Sequence, residues 1–172
     1  MRLYLSARAI FLALFLFCVG LLGFGLYLQH VQGVEPCPMC IMQRYALALV
    51  GMIALLGALH GPRNAGARVY AALILLVSLA GGGVAARQSW IQRYPPDIPE
   101  CGPGLEFMVE SFGLADALPM IFRGAGECTA IDWTIDWTFL GLSIANWSLV
   151  NFVLIALLAC FMLFRPPPRR GY

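Results

Sequence analysis

Cys37 and Cys40 form a Cys-x-x-Cys pair in the run Glu35-Pro36-Cys37-Pro38-Met39-Cys40-Ile41-Met42-Gln43-Arg44, which opens directly into a long apolar stretch. Two cysteines at this spacing are a common form of redox-active dithiol. A disulfide across so short a loop braces little, because closing the loop removes little chain entropy. Pro36 and Pro38 suit the approach to a helix rather than its interior. They place Cys40 in the first turn of the helix that follows and Cys37 just outside it. The unpaired N–H groups of a helix start favour negative charge, and so thiolate over thiol. Arg44 falls four residues after Cys40, on the same helix face and about one turn deeper. A fixed cation beside the sulfur favours the thiolate further. The stretch reads as a reactive dithiol at a membrane surface with a built-in counter-ion. Arg44 has a plainer reading, in which its side chain only reaches back to the interface. An ionisable group within a span is nevertheless a functional candidate by default.

The elements that must position these residues are membrane spans. Of 172 residues, 60% are hydrophobic and only 12% charged. A soluble domain carries about 25% charged residues, and the mean hydropathy here is +0.79. The net charge of +2 gives no reason to expect a nucleic-acid partner. Four apolar stretches suggest spans at about 9–29, 40–59, 69–86 and 147–164. The first reads as an uncleaved anchor, since it is long and no small-x-small cleavage site follows it. Gly81, Gly82 and Gly83 in the third would let a neighbouring helix approach closely. The fold class is therefore an all-α membrane protein, a single four-helix transmembrane bundle over residues 1–172.

Charge sets the expected orientation. Arg2 and Arg8 precede the first span, Arg63 and Arg68 fill the turn between the second and third, and Arg165, Arg169 and Arg170 follow the fourth. These segments contain no acid, and arginine-rich segments mark the cytoplasmic side. All nine acids, from Glu35 to Asp136, fall in the segments on the other side. Both termini are thus expected in the cytoplasm. The loops at about 30–39 and 87–146 then lie in a periplasm-like compartment.

Six cysteines are present. Cys18 and Cys160 lie inside apolar runs, where cysteine behaves as a small hydrophobe. Cys37, Cys40, Cys101 and Cys128 lie in the outer loops, and an even number of loop cysteines suits an oxidising compartment. Cys101 is flanked by Glu100 and Gly102-Pro103-Gly104, and Cys128 lies in Gly124-Ala125-Gly126-Glu127-Cys128-Thr129. Between them, residues 105–122 show apolar positions at helical spacing (Leu105, Met108, Phe112, Ala115). At that length a short helix on the membrane surface is expected, rather than a span; a small soluble helix packed on the loop is the alternative. Ile131-Asp132-Trp133-Thr134 is repeated at once as Ile135-Asp136-Trp137-Thr138. No chemistry is assigned to the repeat. Trp90 and Tyr94 suit an interfacial belt, and Tyr45 and Trp90 are also candidates to line a ligand pocket.

Three readings of the four outer cysteines compete. A tetrahedral zinc site normally draws on two close pairs, and only one is present, so no metal is expected. Structural disulfides in a non-enzymatic tetraspan protein form the second reading. The third is a relay of two exchanging pairs, Cys37–Cys40 and Cys101–Cys128, that takes electrons from a soluble dithiol. No convincing haem, flavin or iron–sulfur motif is present to receive those electrons. A lipid-soluble quinone fits, with Arg44 donating to a quinone oxygen as negative charge develops there.

Four spans, Cys37-x-x-Cys40-x-x-x-Arg44 at the head of the second, and a second pair, Cys101 and Cys128, in the long loop together resemble the disulfide bond formation protein B (DsbB) family. The resemblance covers essentially the whole chain, and the Phe139-Leu140-Gly141-Leu142 run also looks familial. It implies a bacterial inner-membrane protein that re-oxidises DsbA, a periplasmic thioredoxin-fold dithiol oxidase. On that pattern DsbA attacks Cys101, Cys128 attacks Cys37, and Cys40 passes electrons to ubiquinone, or to menaquinone when oxygen is absent. A related quinone-coupled oxidase with a dedicated partner is the enzymatic alternative. Three departures stand out. Gln88 occupies a position where some members carry histidine, Gln43 one where some carry an acid, and the repeat at 131–138 lengthens the segment after Cys128.

Overall fold

The computed structural model describes residues 6–33, 36–62, 65–94 and 143–165. Cys101, Cys128, the expected surface helix at 105–122, the repeat at 131–138 and all nine acids lie outside the described residues. The described residues form four helices: α1 (Ala7–Val31), α2 (Pro38–His60), α3 (Ala65–Arg93) and α4 (Ile144–Phe164). Each is long and apolar enough to cross a membrane.

Local signals account for where the helices start and stop. Ser6 caps α1, its hydroxyl accepting from the Ala9 N–H, and Ser143 caps α4 by accepting from Asn146. Such caps satisfy backbone donors that have no partner inside the helix. Pro38 stands at the head of α2, where its missing N–H is no loss. Gly61, at φ 58°, ends α2 in the left-handed conformation and donates to the Gly57 carbonyl. The third helix runs seven residues past the apolar stretch at 69–86. Polar Arg87, Gln88 and Gln92 lower the hydropathy there, but the first proline comes only at Pro95. Ile91 in the extension is buried beside Cys37, Met39 and Val84.

Consecutive helices run antiparallel, as their cross-contacts show. The Arg8 guanidinium at the start of α1 donates to the carbonyls of Ala58 (2.7 Å) and Leu59 (3.0 Å) at the end of α2. It thereby satisfies acceptors that the helix end leaves open. At the opposite end, Ser143 of α4 donates to Gln92 of α3 at 2.9 Å. The core draws on all four helices: Phe11, Leu14 and Cys18 from α1, Val50 and Ala54 from α2, Ala71 and Ile74 from α3, and Ile155 and Ala159 from α4.

Of the three glycines singled out, Gly81 makes the closest helix contact. A methyl group there would lie 2.6 Å from the Phe152 ring of α4 and 3.0 Å from the Ala46 Cβ of α2. Gly82 approaches only Phe152 Cβ, and Gly83 faces open space. Leu16, Leu56, Leu76 and Leu157 are each more than half exposed. An apolar exterior of this extent suits lipid rather than water.

Candidate functional site

Helix geometry brings the dithiol together at the head of α2. Cys37 is the residue that caps α2, in extended conformation and without a side-chain capping bond. Cys40 lies in the first turn. The first turn of the helix brings the two sulfurs to 3.2 Å. Cys37 is buried against Met39, Val84 and Ile91, with Met42 packed alongside, whereas Cys40 is half-buried. Cys37 is the more enclosed of the two sulfur-bearing residues.

The polar side chain that reaches the sulfurs comes from α3. Gln88 Nε2 donates to Cys37 Sγ at 3.3 Å and to Cys40 Sγ at 3.2 Å. Its carbonyl oxygen accepts from Gln43 Nε2 at 2.6 Å and from Cys40 Sγ at 3.7 Å. Both amides are almost wholly enclosed, Gln88 at 3% exposure and Gln43 at 4%. Gln88 is a site residue that sequence reasoning noted only as a departure from the family pattern. No spacing rule links it to cysteines about fifty positions earlier; only the unexpected length of α3 carries it to the head of α2.

Arg44 takes a different direction. Its guanidinium donates to Gln29 Oε1 at 2.5 Å and to the Gly25 carbonyl at 3.0 Å, both on α1. The cation is therefore tied to α1 while the Cys40 sulfur turns to α3. Its partners are neutral, so its charge is not cancelled by a carboxylate among the described residues. Gly25 admits it closely: a methyl group there would lie 3.4 Å from Arg44 Nε.

A groove of about 400 Å³ runs between α2 and α3, lined by Tyr45, Ala46, Leu49, Leu76, Val77 and Ala80. Tyr45 and Trp90 are both largely exposed, and the Trp90 and Tyr94 rings meet at a tilt of 42° with centres 4.9 Å apart. Cys18 is fully buried, its Cβ close against Gly51. That setting suits the packing role read from the sequence.

The head of α2 thus carries a dithiol facing α3 and, one turn deeper, an arginine facing α1. The model of the family "Disulfide bond formation protein DsbB" matches residues 7–162. A protein of Azoarcus sp. (strain BH72) named disulfide bond formation protein B is 71% identical over 159 residues, 92% of this chain and 93% of the relative. The chain belongs to the DsbB family. A disulfide bond formation protein B of Aromatoleum aromaticum is 64% identical over 160 residues, 93% of this chain and 94% of the relative. One from Hahella chejuensis is 45% identical over 168 residues, 97% and 99% of the two chains. The DsbA–DsbB–quinone system is what keeps the bacterial periplasm oxidising. Membership of the DsbB family accounts for a four-helix membrane protein whose polar centre is a pair of cysteines.

Proposed function

We propose that this chain is a protein-disulfide:quinone oxidoreductase of the bacterial inner membrane. It re-oxidises a DsbA-like periplasmic dithiol oxidase and passes the electrons to membrane quinone. The observation that carries the reading is the Cys37–Cys40 dithiol, its sulfurs 3.2 Å apart, one helical turn from the charged Arg44 within a span. The arginine distribution supports cytoplasmic termini and periplasmic loops at about 30–39 and 87–146.

In the proposed sequence, a thiolate of the reduced partner attacks Cys101, breaking a Cys101–Cys128 disulfide and forming a mixed one. Released Cys128 attacks Cys37, breaking Cys37–Cys40 and leaving Cys40 as the thiolate. The partner's second thiol then resolves the mixed disulfide, and the partner leaves oxidised. Cys101 attacks Cys128, restoring their bond and freeing Cys37. The Cys37–Cys40 dithiol now holds the two electrons and two protons removed from the partner, and gives them up as its disulfide re-forms. The attack of Cys128 on Cys37 matters, because its return attack on Cys101 would re-form Cys101–Cys128, release the partner's first thiol and undo the transfer. The roles of Cys101 and Cys128 rest on the family pattern.

A quinone, when bound, supplies a two-electron, two-proton acceptor. The residues present fit such a group. A guanidinium has five N–H donors, and Arg44 makes two hydrogen bonds among the described residues. It retains donors for a carbonyl oxygen. Ubiquinone is the proposed acceptor, with menaquinone serving when oxygen is absent.

The test is steady-state reduction of a ubiquinone analogue by a reduced DsbA-like oxidase, followed optically with purified protein. Arg44→Ala removes a charge-assisted hydrogen bond, so the quinone KM should rise about tenfold or more. Gln29→Ala loosens the same α1 contact without removing the cation and should change the KM far less. No turnover with either quinone, from a protein whose outer thiols resist mild reductant, would favour the structural-disulfide alternative.

A further inference from the structure

The buried amide pair Gln43 and Gln88 adjoins the dithiol. The Gln88 amide is planar and carries two N–H bonds on one nitrogen. That nitrogen lies 3.3 Å from Cys37 Sγ and 3.2 Å from Cys40 Sγ, a forked arrangement over both sulfurs. Its orientation is not left to chance. Gln43 Nε2 donates to the Gln88 oxygen at 2.6 Å. The Gln88 oxygen also lies 3.7 Å from Cys40 Sγ, but reversing the Gln88 amide alone would set its NH₂ against the Gln43 NH₂. Two buried donors would then face each other, at the expense of the hydrogen bond between the amides. Gln43 also lies three residues from Cys40 on α2, so one helix carries both the dithiol and the group that orients its neighbour.

We infer that Gln88 is the residue that stabilises thiolate at the Cys37–Cys40 pair, and that Gln43 is the positioning residue that fixes its amide. A hydrogen bond to an ionised acceptor is roughly twice as strong as one between neutral groups, and enclosure in a low-dielectric interior strengthens it further. The donor itself does not titrate, so it serves the sulfurs in any protonation state of the surroundings. Among the described residues, Arg44 of α2 donates to α1, and His30 of α1 and Arg87 and Arg93 of α3 are exposed. The inference deepens the proposed oxidoreductase reading of this site, but its test needs neither quinone nor protein partner.

The test is the rate of Cys40 alkylation by iodoacetamide in the reduced, full-length protein in detergent, read by mass spectrometry. The thiolate is the reacting species. At neutral pH, Gln88→Leu should slow alkylation about tenfold and Gln43→Leu about threefold, the double variant being no slower than Gln88→Leu alone. At a pH where the thiols are fully ionised, all four proteins should react at similar rates. A packing or access effect would slow alkylation at both pH values, and that result would overturn the inference. So would an unchanged neutral rate in Gln88→Leu. Should Gln88→Leu not fold, Gln43→Leu decides: an unchanged neutral rate there removes the positioning role and the inference with it. Intact turnover without these alkylation differences sinks the amide cradle alone. The alkylation pattern without turnover sinks the oxidoreductase reading alone.

Discussion

Cys40→Ser is expected to bring dithiol-dependent quinone reduction down to background, a loss of at least roughly a thousandfold. The reason is chemical rather than architectural. A serine hydroxyl fills nearly the same volume at the head of α2, so the Gln88 amide and the apolar wall around Cys37 should stay in place. It cannot form a disulfide with Cys37, whose sulfur lies 3.2 Å from that of Cys40, and it offers no thiolate. The two electrons taken from a partner dithiol then have no route onward. Cys160→Ser serves as the control, since Cys160 is half-buried in α4 and outside the site. Its turnover should match the unmodified protein. The measurement is initial rate under anaerobic conditions, with thermal unfolding followed in parallel to show that Cys40→Ser remains folded.

The second large effect is on stability. Gly81→Val is expected to destabilise the bundle by about 3 kcal/mol, read as a lowered thermal midpoint in detergent. The glycine lies between two helices at once, and even one added carbon meets the Phe152 ring at 2.6 Å and Ala46 at 3.0 Å. The ring cannot simply withdraw, because Phe152 is itself 3% exposed and packed in place. The neighbouring glycines supply a graded comparison. Gly82→Ala meets only Phe152 Cβ at 3.4 Å and should cost far less. Gly83→Ala meets nothing within 4 Å and should be neutral or slightly stabilising, since alanine is the better helix former. If all three substitutions act alike, close approach at Gly81 is not what holds α2, α3 and α4 together.

The bundle was legible because its signals are local. Apolar runs long enough to span a bilayer, and Pro38 before Cys40, each speak through neighbours in the chain. The dithiol was legible for the same reason: Cys-x-x-Cys at a helix head carries its chemistry in four residues. Three features were not. The spacing of Cys40 and Arg44 places them on one face, yet which neighbour each meets depends on how α1 and α3 pack. The guanidinium goes to Gln29 and Gly25, and the sulfur to Gln88. The end of α3 was obscured because hydropathy falls at Arg87 while the helix continues to Arg93, held by burial of Ile91. The three glycines look equivalent in sequence, but only the face carrying Gly81 meets both Phe152 and Ala46. In each case the missing information is tertiary packing, which no local pattern encodes.

The most direct test of the central claim isolates the described pair from the rest of the relay. A Cys101→Ser/Cys128→Ser variant, reduced and freed of reductant, is mixed anaerobically with a ubiquinone analogue, and quinone absorbance is followed through a single turnover. The account predicts loss of one equivalent of quinone per chain, with Cys37 and Cys40 recovered as a disulfide, and no loss when Cys40→Ser is added. Unchanged quinone absorbance in the reduced Cys101→Ser/Cys128→Ser protein would contradict the claim that the dithiol at the head of α2 is what delivers the electrons.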